Sequence, residues 1–334
     1  MATIGIALVG AGNIAQNLHL PILSKMAGVK IVSICDKSVS KAKILAERYH
    51  VDHVGRSVDD ALKRDDVHAV FITTSTDAHA EIARKAIAAG RHVFVERPIA
   101  RTLAETAEIK SAAQEVGVHV MVGMNHRFRP DLVHMKNAVE RGDLGSVSYV
   151  KAGWVKQRST DARWLAQADK SGGGVLVDLG VVVIDMILHV FNFGRVRSVT
   201  ASTYHHDTKS VEDVAVAMLQ FENGAVATIE ASWSLVRSED VFYCNVFGTK
   251  GSAFINPFKL VTRTGSKTHT ATIPQQRSQI EIYKRSYESE FKHFFNAVRG
   301  IVPMVSTVDE AVERMKVIEA LYASAELKRE IVIP

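Results

Sequence analysis

Cysteine is almost missing from this chain: two among 334 residues, Cys35 and Cys244, far apart in sequence. Such a pair gives neither a disulfide framework nor the close spacing of a metal knuckle, so a reducing cytoplasmic setting and no bound metal are expected. Blocks of like charge are missing too. The 41 Lys and Arg are interspersed among 36 Asp and Glu, for a formal net charge of +5. That mild excess argues against a nucleic-acid partner and suits an anionic small molecule. Residues 1–9 (MATIGIALV) carry no basic leader and no cleavage site, so no targeting segment is expected. The longest apolar stretch, 175–193, contains Asp178, Asp185 and His189, each costly in lipid. It is expected to be a buried helix, with no membrane partner. Internal repeats, low-complexity tracts, long linkers, a Gly-Lys-Ser phosphate loop and Ser or Cys nucleophile motifs are also lacking.

What is present is the balance of a globular protein, 47% apolar and 23% charged, in a length that allows two domains. Over 1–125, short β-rich runs alternate with helical patterns, which predicts a doubly wound parallel sheet of Rossmann type. Strands are expected at 4–9, 29–35, 69–73, 93–95 and 119–123, and helices at 13–26, 38–49, 57–63, 78–89 and 103–115. From 126 to 334 the pattern changes to an α+β domain. Helices are expected at 131–141, 175–193, 287–298 and 308–326. Between them β-branched strands near 148–155, 196–204, 214–221, 225–232, 241–247 and 252–255 form a large, mostly antiparallel open sheet.

The first chemistry-bearing motif is Gly10-Ala11-Gly12-Asn13-Ile14-Ala15, a G-x-G-x-x-A turn. It directly follows a buried strand and opens a helix. An acid, Asp36, stands 21 residues past Ala15 at the end of the next strand. Gly10 permits the tight turn, Gly12 lets backbone approach a pyrophosphate, and Ala15 keeps the helix close to the sheet. The helix start, at Asn13 and Ile14, offers N–H groups and partial positive charge to phosphates. Asp36 would accept hydrogen bonds from the adenosine ribose and repel a 2′-phosphate. NAD is therefore favoured, with NADP left open by Lys37 and Ser38, which could hold a phosphate.

With this turn, several further runs make the chain similar to the glucose–fructose oxidoreductase / inositol dehydrogenase / rhizopine catabolism (Gfo/Idh/MocA) family. They are 72–79 (ITTSTDAH), 86–98 ending in Glu96-Arg97-Pro98, 123–128 (GMNHRF), Gly172-Gly173-Gly174 with Asp178, and the 309–325 helix. The resemblance covers nearly the whole chain. It implies a Rossmann domain, a C-terminal open-sheet domain that makes a homodimer or homotetramer, and hydride transfer between nicotinamide and a hydroxyl of a sugar, polyol or nucleotide sugar. It also implies cofactor contacts from Thr73, Thr74, His79, Glu96, Arg97 and Asn125, and substrate contacts from Arg127, Arg163, Trp164, Lys170 and Asp178.

Two departures from the family pattern concern the proton. The family writes Glu-Lys-Pro where this chain has Arg97, and Asp-x-x-x-His where this chain has Asp178 and then Val182. Arginine keeps its proton and cannot be a base, although it can stabilise a developing oxyanion. On a regular helix Asp178, Val182, Asp185 and His189 share one face, but His189 lies roughly 10 Å beyond position 182. Asp178 is the remaining proton carrier, with a capping or Arg-paired structural acid as its plainer reading. His79 reads either as a cofactor neighbour or as a satisfied structural histidine. Asn125 and Arg127 read either as nicotinamide-side groups or as hinge residues. His205-His206-Asp207 reads as a solvated loop, and Phe291, Phe294 and Phe295 as core. Besides the oxidoreductase reading, two others stand: a retired NAD-binding sensor or co-regulator, and an enzyme using permanently bound NAD for transient oxidation.

Overall fold

The computed structural model describes residues 3–157, 163–273 and 278–334. Among the described residues, fifteen strands form two sheets. Six belong to the first: β1 (Ile4–Val9), β2 (Val29–Cys35), β3 (His53–Gly55), β4 (Ala69–Ile72), β5 (His92–Val95) and β6 (Val120–Val122). They pair all in parallel in the order β3-β2-β1-β4-β5-β6. β1, β4 and almost all of β5 are buried on both faces, as a sheet covered by helices on each side requires. The order reverses between β1 and β4, and in such sheets that crevice is where ligands bind.

The remaining strands are β7 (Val147–Val155), β8 (Val196–Tyr204), β9 (Val214–Phe221), β10 (Val226–Ser232), β11 (Val241–Gly248), β12 (Gly251–Phe254), β13 (Lys259–Thr264), β14 (Lys267–Thr272) and β15 (Ile331–Val332). Their order is β14-β13-β12-β11-β7-β10-β9-β8-β15. Among the described strands only the β7–β10 pairing is parallel, so the sheet is mixed and mostly antiparallel. The apolar stretch enters as a π-helical turn, Leu176–Gly180, and continues as the α-helix Val181–Val190. Its side chains pack against β7, β10 and β11.

The chain divides into two compact units, each built from two separate segments: 1–125 with 284–312, and 126–283 with 313–334. Assigning all of 126–334 to the second domain leaves out this return. Its cause is aromatic packing. The helix Gln279–Val298 begins eight residues before the expected start and carries Phe291, Phe294 and Phe295 on one buried face. Phe71 of β4 and Phe94 of β5 stack with ring centres 4.9 Å apart, and Phe291 and Phe294 meet both edge-on. These rings are core of the first unit.

Three further differences have local reasons. β3 is three residues long, and β13 and β14 are largely polar on both faces, so none shows an apolar rhythm. β15 follows the last helix, Val308–Leu327, which was expected to close the chain. Finally, the π turn breaks the 3.6-residue period, so Asp178 does not share one regular helical face with Val182 and Asp185.

Candidate active site

At the carboxyl end of β1, Gly10 has φ +105°, and a Cβ there would lie 2.7 Å from the Thr73 carbonyl. Only glycine tolerates both conditions. Thr73 closes the turn by donating its hydroxyl to the Gly10 carbonyl at 2.7 Å, and its N–H donates to Val9 O at 2.8 Å. Gly12 differs: the nearest atom to a Cβ there is the Thr73 carbonyl oxygen at 3.8 Å, ordinary contact. The protein itself leaves Gly12 room for a side chain, and Gly12 and Asn13 are exposed while Ile14 is half-buried. The helix then runs from the turn through Ala15–His19 and Leu20–Leu23, and a start of this kind presents N–H groups without intrahelical partners.

Asp36, just past β2, accepts from Ala11 N–H through one oxygen and Ser38 N–H through the other, each at 2.7 Å. It thereby ties the glycine turn to the β2 loop, and each oxygen keeps a further acceptor site for a ribose hydroxyl. Lys37 beside it is exposed. Space at Gly12 together with this anchored carboxylate fits a dinucleotide.

The loops after β4 and β5 lie alongside. Thr74 is half-buried, its hydroxyl on Ser75 O at 3.2 Å. His79 is buried, with Nδ1 2.8 Å from Pro98 O and Nε2 3.1 Å from Thr74 O. Burial holds its pKa below the ordinary histidine value, and both ring nitrogens face backbone carbonyls. Of its two readings the geometry favours the structural one, a strut between two loops. Arg97 is half-buried and precedes Pro98 through a cis peptide bond. Glu96, expected on backbone or ribose groups, has one oxygen 2.7 Å from Nε2 of the buried His19, on the helix that follows the glycine turn. Asn125, beyond β6, donates to the Ser286 hydroxyl at 2.9 Å and so fastens the end of the sheet to the returning helix.

In the second unit, Asp178 is half-buried on the π turn and its Oδ2 accepts from the Trp233 indole N–H at 3.0 Å. Arg163 is exposed and Trp164 half-buried on the turn Arg163–Ala166, and Lys170 is half-buried on the short helix Ala168–Ser171. Val182 is buried among apolar neighbours.

Arg127 corrects an expectation. Rather than reaching toward substrate, its guanidinium forks onto Asp185 at 2.8 and 2.5 Å, and Arg314 donates to the same carboxylate at 2.7 Å. All three side chains are at most 3% exposed. Burial pushes Asp185 up, but the two guanidiniums outweigh it and hold the carboxyl down at about 2. A buried carboxylate demanded these partners, and a helix-face argument could not foresee Arg314.

The sequence reading also missed Glu212, Asp213, Trp233 and Tyr322. The one available signal was a pair of acids directly ahead of β9, an apolar strand buried on one face. Asp213 gathers the N–H groups of His206, Asp207 and Thr208 at 3.0, 2.6 and 2.9 Å, so the His205–Asp207 loop is folded around a carboxylate. Among the described residues no group of three His, Cys, Asp or Glu could hold a metal.

Comparison with known proteins agrees with this geometry. A family model described as the oxidoreductase family, NAD-binding Rossmann fold (GFO_IDH_MocA), matches residues 4–124. Its companion, the C-terminal alpha/beta domain, matches 136–333. An uncharacterized oxidoreductase of Bacillus subtilis, YrbE, is 31% identical over 87% of this chain and 85% of its own length. The D-glucoside 3-dehydrogenase of Escherichia coli is 26% identical over 96% and 95%. Among solved structures, GenD2 from gentamicin A biosynthesis, in complex with NAD, superposes with a TM-score of 0.87 at 26% identity, covering 100% of this chain and 97% of that one.

Proposed function

This chain belongs to the Gfo/Idh/MocA oxidoreductase family, and on that premise we propose that it transfers hydride between NAD and a secondary hydroxyl of a sugar, polyol or nucleotide sugar. The observation that carries the proposal is the contrast in the glycine turn: the protein's own packing requires Gly10, whereas Gly12 is left room by the protein and is accounted for by a ligand. A relative named as a D-glucoside 3-dehydrogenase supports the sugar class, and a neighbour solved with NAD supports the cofactor.

In this reading Gly12, Asn13 and Ile14 hold the pyrophosphate through backbone N–H groups, and Asp36 holds the adenosine ribose. Bound there, the nicotinamide would supply the acceptor for a hydride from the alcohol carbon. Arg97 stabilises negative charge as it develops on the substrate oxygen, and Asp178 takes the proton, directly or through one water. Thr73, Thr74, His79, Glu96 and Asn125 shape the cofactor loops, while Arg163, Trp164 and Lys170 contact substrate. The mild basic excess suits a substrate bearing phosphate or another anion. A homodimer or homotetramer through the second sheet and a cytoplasmic setting complete the proposal; buried, free Cys35 and Cys244 fit a reducing compartment.

The test is purified protein with NAD and a panel of sugars, polyols and sugar nucleotides, followed by nicotinamide absorbance. Turnover on a member of the panel, lost in Arg97→Met and Asp178→Asn, is expected. A second reading, an NAD-binding protein without turnover, is favoured by Val182, which puts a buried aliphatic side chain where the resemblance calls for a histidine. Tight NAD binding with no turnover across the panel would establish that reading instead.

A further inference from the structure

Asp178 stands one turn into an apolar helix, on a π-helical turn, a local geometry frequent at functional sites. Building on the proposed role of Asp178 in proton transfer, we infer that Glu212 and Asp213, neighbours at the entry to β9, are positioning residues that set its carboxylate from two directions.

The first direction is through the helix start. The Glu212 carboxylate accepts from Leu176 N–H at 2.9 Å and Gly174 N–H at 3.1 Å, and its backbone carbonyl accepts from Val175 N–H at 2.9 Å. Three successive N–H groups at the mouth of the helix thus end on one residue, distant in sequence, that does the work of a cap. Asp178 follows at once, its own N–H on Gly174 O at 3.2 Å. Tyr322 donates its hydroxyl to Glu212 at 2.9 Å and fixes the carboxylate's orientation. The glycines of the loop are the counterpart of this clamp. A Cβ on Gly174 would lie 1.9 Å from the Glu212 carbonyl oxygen, and one on Gly173 would lie 2.1 Å from the Tyr322 hydroxyl.

The second direction is through the indole. The Asp213 carbonyl accepts from Trp233 N–H at 2.8 Å, and its carboxylate accepts from the Ser234 hydroxyl at 3.0 Å. Trp233 is thereby held by backbone on the one side and by its neighbour on the other, and its indole N–H reaches Asp178 Oδ2 at 3.0 Å. Successive residues at a strand entry point to opposite faces, so adjacent acids can serve two different structures. Burying two carboxylates side by side is costly unless each is saturated with donors. Each has donors of its own: the Glu212 carboxylate meets the helix start and Tyr322, and the Asp213 carboxylate meets the 206–208 loop and Ser234. The route to Asp178 runs through the helix start on one side and the Asp213 carbonyl with Trp233 on the other.

The test compares four variants of the full-length protein by steady-state kinetics across pH, with NAD affinity by calorimetry and folding by thermal melts. Trp233→Phe removes a donor that favours the ionised carboxyl, so the acidic limb of kcat/KM moves to higher pH. Glu212→Gln and Tyr322→Phe loosen the helix start, and kcat falls about tenfold or more while NAD affinity stays unchanged. Should Glu212→Gln fail to fold, Tyr322→Phe and Trp233→Phe carry the test. Asp178→Asn is the reference: if it keeps full turnover, the reading of Asp178 on which the inference rests is wrong. If it is inactive while Trp233→Phe and Tyr322→Phe keep both kcat and the acidic limb, that reading survives and the positioning roles are overturned.

Discussion

Gly10 and Gly12 stand two residues apart and answer to different demands. Replacing Gly10 by Ala forces a left-handed backbone on a side chain and drives its Cβ into the Thr73 carbonyl. The backbone strain alone costs about 1–3 kcal/mol, and the melting temperature is expected to fall. Gly12→Ala meets no such obstacle, so the melt should be unchanged while NAD affinity drops by about tenfold, or ~1.4 kcal/mol. Equal loss of stability in both variants would refute the ligand-based account of Gly12. Asp36→Ser should weaken NAD about tenfold, given the value of hydrogen bonds to a charged acceptor, and narrow the preference over NADP; calorimetry with both dinucleotides measures it. The residues of this turn were legible in sequence because their constraint is local: a strand, a glycine turn and an acid at fixed spacing. Trp233 and Arg314 were not legible, and Glu212 showed only as an acid ahead of a strand, because each acts on a partner tens of residues away.

Among elements, the apolar helix carries the most chemistry. Its length and composition would suit a membrane span, yet it lies within the second unit and holds Asp185 between two arginines. Asp185→Asn should cost about 3–5 kcal/mol, the usual penalty for stranding buried partners, read from denaturant unfolding. The pH dependence has two stages. Burial, reinforced by Arg127, lowers His189 from 6.5 to about 4, so the unfolded chain binds that proton first and stability is lost as pH falls from 6.5 toward 4. Asp185, at about 2 against an ordinary 3.8, keeps its contribution above pH 4 and loses it as pH falls toward 2, on the order of 2 kcal/mol. His189→Gln should flatten the first stage and leave most of the second, since Arg127 and Arg314 are the larger charges facing Asp185; a profile unchanged in that variant would contradict the assignment. Helices and buried strands were readable from their apolar rhythm. β14 was not, since its six residues are all exposed and no face repeats.

For the whole molecule, the second sheet offers a broad face turned away from the apolar helix. Tyr149 stacks on Phe247 there, and its hydroxyl meets Thr228; Tyr243 donates to Glu230, and Val216 is 48% exposed. If copies of the chain associate through this face, Val216→Arg should shift the light-scattering mass toward the monomer, and an unchanged mass would exclude the face as the interface. Finally, the helix that returns to the first unit has a practical corollary. A polypeptide stopped at residue 125 would carry the whole dinucleotide motif yet leave Phe71, Phe94 and His19 uncovered by the rings of Phe291 and Phe294. Such a fragment should be sticky, so a first half meant to stand alone would have to carry 284–312 along with 1–125.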